Sequence, residues 1–352
     1  MKILLEAPLN SLSFGNVSLN IIKELINKKH DFAIWPSNQD VDISAFDLDL
    51  ETKSAIQEAL NRRYDFLSAD IPSLRLWHIN GAENRKNERQ YLYTFYECSS
   101  PTYVEKRIVD AQTKTIFSSK YAGDQFDSPY VPLGFDNQFH STGKTYLEGV
   151  VHFGLMGKFE KRKHTAKIIN CWAKKYGNNN KYQLSCLVNN SFMSKEEISN
   201  EVNIALGGVH YTNINFIPFL KTNKEVNEFI NAIDIDLTGM SGGEGWNLPS
   251  FNSTCLGKWS LVLNETSHKD WANKENSILI ESESKMDCYD NKFFVEGQSF
   301  NQGQFFDFSE ESFISGMEEA EKKVGHINTE GQKLSDKFTY SNTVDSILSH
   351  IS

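Results

Sequence analysis

A single carboxylate, Glu244, stands among three glycines, Gly242, Gly243 and Gly245, with Pro249 five residues further on. The apolar run at 232–237 just before them reads as a buried strand. Pro249 suits the first turn of a helix, where a missing N–H costs nothing. The order is therefore strand, glycine loop, helix N-terminus. Free backbone N–H groups and the positive end of a helix dipole favour an anion there, and glycines let a ligand approach the backbone. An acid fixed at the mouth of an anion site implies a ligand that carries both phosphates and hydroxyls. Glu244 would accept one or two short hydrogen bonds from those hydroxyls. The plainer alternative is an acid placed only to suit a helix dipole.

About eighty residues earlier, the segment from Lys158 to Lys167 holds five Lys or Arg and one His. Gly157, Lys158 and Lys163 fall between an expected strand and the helix after it. A cation at a helix N-terminus opposes the dipole, so nothing is gained unless an anion sits nearby. A diphosphate would neutralise both Lys158 and Lys163. A solvated basic face is the alternative, and the glycine loop tips the balance to phosphate. His78 and Glu97 end two further expected strands, at 73–78 and 90–95. A cleft histidine can donate to a leaving or attacking oxygen, and a glutamate can position an acceptor hydroxyl; a satisfied strand-end histidine is an equal reading of His78. Trp246 and Trp271 offer stacking surfaces, whereas Trp77 reads as core. There is no Ser-His-Asp order, no P-loop and no GxGxxG.

These residues need a scaffold that brings strand ends together. The chain alternates short apolar runs with helical stretches from its first residues. Strands are expected at 2–6 and 30–35 with a helix at 16–28 between them, and Gly15 just before that helix permits a tight turn. An acidic loop from 40, a helix at 51–62, a helix at 102–109 and strands at 114–117 and 128–132 follow. The alternation restarts at 150–156, with a helix near 166–176, strands at 181–188, 215–219, 259–263 and 277–281, and a helix at 309–323. Ser194–Glu197 and Thr222–Glu225 have the form of capping boxes that open helices. Two runs of βαβ signals imply two doubly wound α/β domains with a ligand cleft between them. The expected boundaries are 1–145, 146–330 and a C-terminal helix at 331–352 that packs back toward the first domain.

With 352 residues, two cores are the natural prior. Hydrophobic content of 39% and charged content of 23% fit a soluble globular protein. No apolar run is long enough to span a bilayer. Five scattered cysteines form no CxxC pair, which suggests reduced thiols in a cytoplasm. A net charge of −10 argues against stable nucleic-acid binding.

Taken together, the residues resemble the retaining nucleotide-sugar glycosyltransferases of family 4, with the GT-B fold of two facing Rossmann-like domains. In the family a Gly-Arg-Leu segment precedes a Lys; here Gly157-Lys158-Phe159 and Lys163 match. The family's Glu-Gly-Phe-Gly-Leu-Pro matches Glu244-Gly245-Trp246-Asn247-Leu248-Pro249, through Gly257. Pro132-Leu133-Gly134-Phe135-Asp136 matches a motif before the interdomain linker, and Tyr93–Glu97 looks like the strand-end acid of one branch. There are departures. The family's second acid falls on Asn252, His164 stands where a Gly is usual, and Lys158 replaces an Arg, losing a planar fork.

The resemblance implies transfer of a sugar from a UDP- or GDP-linked donor to a carbohydrate or other acceptor hydroxyl, with retained configuration and no metal or other cofactor. Glu244, Lys158, Lys163 and His78 would be catalytic. Gly157, Gly242, Gly243, Gly245, Trp246, Asn247, Leu248 and Asn252 would bind the donor, and Gly15, Asn16, Asn80 and Glu97 the acceptor. A noncatalytic sugar-nucleotide-binding protein is the competing expectation, motivated by Asn252. A DNA-modifying glucosyltransferase is disfavoured by the acidic charge.

Overall fold

The computed structural model describes residues 1–37, 41–190 and 192–351. Asp40, at the head of the expected acidic loop, and Ser352, at the end of the expected last helix, lie outside them. The first half builds β1 (Lys2–Ala7), α1 (Ser13–Asn27), β2 (Asp31–Pro36), α2 (Leu50–Asn61), β3 (Ser73–Leu76), β4 (Gln90–Thr94), α3 (Tyr103–Ala111), β5 (Lys114–Phe117) and α4 (Lys120–Phe126). Its five strands form a parallel sheet in the order β2-β1-β3-β4-β5. Residues such as Ile3, Leu5, Leu74, Leu76 and Tyr93 are fully buried, as expected for strands covered on both faces.

The second half supplies β6 (Val151–Lys158), α5 (Thr165–Tyr176), β7 (Tyr182–Asn189), α6 (Lys195–Ala205), β8 (Ile214–Phe216), α7 (Asn223–Ala232), β9 (Ile235–Gly239), α8 (Leu248–Cys255), β10 (Trp259–Leu263) and β11 (Ile278–Ile280). These strands make a second parallel sheet, ordered β11-β10-β9-β6-β7-β8. A hairpin of β12 (Ser284–Asp287) and β13 (Gln304–Asp307), then α9 (Glu310–Glu321), α10 (Thr329–Lys337) and α11 (Tyr340–His350), complete the chain. Both expected capping boxes are formed, at Ser194 with Glu197 and at Thr222 with Glu225. Each fastens a helix start by roughly 1 kcal/mol.

In each sheet the strand order reverses once, between β1 and β3 and between β6 and β9. Ligands bind open α/β sheets beyond the strand ends at such switch points. β6 and β9 are direct neighbours, with Phe153 opposite Ile235. That pairing is how Lys163 and Glu244, far apart in the chain, come to share one loop cluster.

The two halves are pressed together along this edge. Ser118 Oγ donates to Gly245 O at 2.7 Å, the Lys120 amide to Asp270 Oδ2 at 2.8 Å, and Asn223 Nδ2 to Asn16 Oδ1 at 2.9 Å. The stretch from 288 to 303, between β12 and β13, reaches over to α3: Thr102 Oγ1 donates to Ser299 O at 2.6 Å and the Asn301 amide to Glu105 Oε1 at 2.8 Å. Cys288, Phe294 and Phe305 share a buried cluster with Ile79, Tyr96, Cys98 and Phe117 of the first half. α11 crosses back onto α1, where Thr343 Oγ1 donates to Pro132 O and Lys28 pairs with Asp345.

Several expectations need correction. The strand at 128–132 is only a bridge between Phe117 and Tyr130, because Pro129 and Pro132 have no N–H for a ladder. α1 begins at Ser13, so Gly15 lies inside its first turn rather than before it. The C-terminal segment is two helices, broken at Phe338, whose carbonyl accepts from the Phe135 amide at 2.8 Å. α4 and the β12–β13 hairpin had no forecast.

Candidate active site

The basic run after β6 is divided among three tasks. Lys161 Nζ donates to Asp287 O and Tyr289 O, at 2.6 and 3.0 Å, and Lys167 pairs with Asp307 at 2.7 Å, so these two hold the hairpin. Lys163 Nζ meets Glu244 Oε1 at 2.5 Å, and Arg162 Nη1 meets Glu244 Oε2 at 3.1 Å. Lys158 makes no ion pair among the described residues. Its ammonium stands 5.7 and 5.4 Å from the ring centres of Phe192 and Phe293.

Arg162 is the residue that sequence reading passed over. It is buried, and its guanidinium also meets Glu97 Oε1 at 3.2 Å and Glu160 Oε1 at 2.7 Å. Nη1 donates to Gly243 O at 2.5 Å, while the Arg162 carbonyl accepts from the Gly242 amide at 2.9 Å. Three carboxylates thus surround two cations, and one of the carboxylates, Glu97, comes from the first half. In the sequence Arg162 is one cation among five. The available signal was its type, since the planar five-donor fork of a guanidinium suits several carboxylates at once.

The charges set the protonation states. Burial pushes Glu244 up, but Lys163 and then Arg162 outweigh it and hold the carboxyl at about 2. Glu97 is raised, first by burial and then by Glu244 and Glu160, against the pull of Arg162. His78 follows β3 in the loop beyond Leu76, solvent-exposed but walled by protein, with its ring 4.6 Å from Phe14 and 5.5 Å from Trp77. Desolvation first, then Lys158 and Arg162, lower it to about 4, so its imidazole is neutral at pH 7.

The loop backbone is specialised. Asn247 and His164, the residues before α8 and α5, both have left-handed backbone (φ 67° and 53°). Such a conformation favours glycine, so His164 and Asn247 each need side-chain contacts to hold it. His164 is held there by donating Nε2–H to Phe306 O at 2.9 Å. Asn247 donates to Thr238 O and to Nε2 of His268, both at 3.0 Å, and His268 donates Nδ1–H to Leu263 O at 2.8 Å. Gly157 has φ 118°, and a side chain there would meet Lys163 Cδ at 3.3 Å.

No protein-family model matches the chain, and no curated protein matches it by sequence. Solved structures do match in shape. Sucrose-phosphate synthase of Thermosynechococcus elongatus is similar over 99% of this chain and 98% of its own, at 11% identity and a TM-score of 0.68. HepE of Anabaena, solved with UDP, is similar over 100% and 99% of the two chains, at 12% identity and a TM-score of 0.66. OtsA is similar over 100% and 99%, at 9% identity and a TM-score of 0.67. The fold is GT-B.

Within this GT-B frame the expected residues separate into groups. Glu244, Lys163, Gly157 and Glu97 meet at the domain seam, with Lys158 and His78 on its open side. Other residues are used for packing. A side chain on Gly242, Gly243 or Gly245 would strike Phe306 O at 2.2 Å, Glu97 O at 2.6 Å and Phe95 Cβ at 2.6 Å, respectively. That side of the glycine loop is filled by protein, not open to a ligand. Trp246 is enclosed by Phe251 and Phe338 and belongs to the core, so its ring is not a stacking surface. Leu248 packs on the same core, and Trp271 is buried beside it. Asn16 spends its side chain on Leu12 O and Asn223, and Gly15 lies against Asn10 O, where a side chain would come within 1.9 Å. Asn80 is exposed, Trp77 is partly exposed, and Asn252 is buried on α8 with no hydrogen bond to Oδ1.

All five cysteines are free and buried. Among the described residues no helix is long and apolar enough to cross a membrane, and no His, Cys, Asp or Glu group is arranged to hold a metal ion.

Proposed function

We propose that the chain is a glycosyltransferase that moves a sugar from a nucleoside-diphosphate donor to an acceptor hydroxyl, with retained configuration and without a metal. The observation that supports this most is Glu244, held in its ionised form at neutral pH between Lys163 and Arg162 at the switch point of the second sheet. An ionised carboxylate is an acceptor only, suited to grip sugar hydroxyls. Lys163 has donors beyond the one given to Glu244, and Lys158 is uncommitted to any acid. Both can take up the charge that builds on the diphosphate as the bond from the anomeric carbon breaks, the electrostatic contribution expected to dominate. Neutral His78 donates an N–H on the first-domain side, where Glu97 and Asn80 border the acceptor. HepE, of similar fold, was solved in complex with UDP, which supports a nucleoside-diphosphate ligand here.

The test is incubation with UDP- and GDP-sugars in EDTA, following free nucleotide and the anomer of the product by NMR. Turnover with the donor's own anomeric configuration is expected, and Glu244→Ala should lower it by at least a hundredfold in protein that circular dichroism shows to be folded at the assay temperature, with a reduced melting temperature because Lys163 and Arg162 lose a buried partner. An active Glu244→Ala protein would sink the assignment.

One observation favours a second reading. Asn252 holds the position of the acid that the resembled enzymes direct at ribose, and it offers a neutral amide instead. Saturable sugar-nucleotide binding with no hydrolysis and no transfer to any acceptor would identify a binding protein.

A further inference from the structure

We infer that Arg162 is a positioning residue: its guanidinium aims Glu244 at the donor sugar and, through the contact it shares with Glu97, ties sugar recognition to the docking of the two domains. This rests on the glycosyltransferase reading and deepens it. The geometry is unusually constrained for an arginine. Its backbone carbonyl accepts from the Gly242 amide at 2.9 Å and from Ser241 Oγ at 3.2 Å, and its Nη1 returns to Gly243 O at 2.5 Å. Main chain and side-chain tip are therefore both fastened to the loop that carries Glu244. Nη2 is fixed on the far side by Glu160, whose side chain is 6% exposed, at 2.7 Å. Nη1, besides the Gly243 carbonyl, lies 3.1 Å from Glu244 Oε2 and 3.2 Å from Glu97 Oε1, while the buried Nε–H has no hydrogen-bond partner among the described residues.

These two acids come from different domains. Glu244 follows β9, while Glu97 follows β4, and the Glu97 carbonyl presses on Gly243, leaving 2.6 Å to any side chain placed there. Separating the domains would remove one of the three carboxylates that compensate a buried guanidinium and would free the tip of Arg162 to turn. Lys163 would still neutralise Glu244 and hold Oε1 by its hydrogen bond at 2.5 Å, but an ammonium is a point charge on a flexible stem, so without the rigid fork at Oε2 the carboxylate can turn about that one contact. Both cations neutralise Glu244, and the guanidinium supplies its second fixed point.

The distinction is measurable because a positioned Glu244 acts on the sugar and not on the nucleotide. Affinities for UDP and UDP-glucose, and for GDP and GDP-mannose, are measured by calorimetry on the parent, Arg162→Lys and Glu97→Gln, and the pair that binds is compared. For Arg162→Lys, affinity for the sugar nucleotide is expected to fall at least fivefold while that for the bare nucleotide stays within twofold. For Glu97→Gln, which keeps the arginine and perturbs a residue one-third exposed, the same selective loss is expected at two- to threefold. The acid limb of sugar-nucleotide binding should move to higher pH in Arg162→Lys as Glu244 loses a hydrogen-bonded partner. If nucleotide and sugar nucleotide weaken together, or neither weakens, the positioning role is wrong. If Arg162→Lys does not fold, Glu97→Gln decides. A parent protein that binds none of the four compounds overturns the glycosyltransferase reading, and this inference with it.

Discussion

Glu244 and His268 lie in one buried network but lose their contributions in different pH windows. Glu244 titrates at about 2 when folded, below the ordinary carboxyl value, so its contribution to stability is complete above pH 4.5 and is lost only as pH falls toward 2. His268 is wholly buried and lowered to about 4, chiefly by desolvation. The unfolded chain therefore takes up its proton first, near pH 6.5, and stability declines as pH falls from there to 4. Between pH 7 and pH 5 this amounts to about 2 kcal/mol. Asp270 works the other way, since burial raises it to about 6 and the folded state gains a proton there as pH falls. A protein with His268→Gln should lose the histidine's share. The difference in urea unfolding free energy between pH 7 and pH 5 is expected to shrink by about 2 kcal/mol relative to the parent, and an unaltered difference would show that the imidazole does not titrate as described.

The elements that position the site were legible where their signals are local. The capping boxes at Ser194 and Thr222, the strand β10 and Pro249 in the first turn of α8 all lie in short windows of sequence. What escaped depends on partners distant in the chain. Apart from the partly buried Met286, the strand β12 is polar and exposed, and four residues leave no alternation to read; Lys161 and β13 hold it. Arg162 and Glu97 likewise acquire meaning only when the loops that follow β6 and β4, in different sheets, meet across the domain seam. The glycine loop was located correctly for its place between β9 and α8, but its composition has a different physical cause. None of Gly242, Gly243 and Gly245 has a positive φ, and each abuts protein where a side chain would project. Gly243→Ala would drive a methyl group into the Glu97 carbonyl and the Phe305 ring, neither of which can withdraw without parting the domains. Overpacking of this kind costs about 1–3 kcal/mol. Thermal melts should record that loss together with weaker sugar-nucleotide binding, and a variant as stable as the parent would show that the seam is looser than its contacts imply.

At the scale of the whole molecule, the seam is also what should make the two domains unfold together. Hydrogen bonds cross it from Ser118 to Gly245, from Asn223 to Asn16 and from Asn301 to Glu105, a buried cluster spans it, and α11 returns the end of the chain to α1. Either domain unfolding alone would expose Phe117, Phe305 and Tyr96 on its partner, and leave Arg162 with one carboxylate fewer. Scanning calorimetry is therefore expected to give a single transition rather than two. A sugar nucleotide that binds the folded protein at a hundred times its Kd should stabilise it by about 2.7 kcal/mol through mass action alone. Because the residues proposed to hold the donor belong to the second domain and the transition to both, the whole endotherm should move up. Two transitions, of which the ligand raises only one, would mean that the domains melt independently and that contact along Arg162 and Glu97 does not couple them.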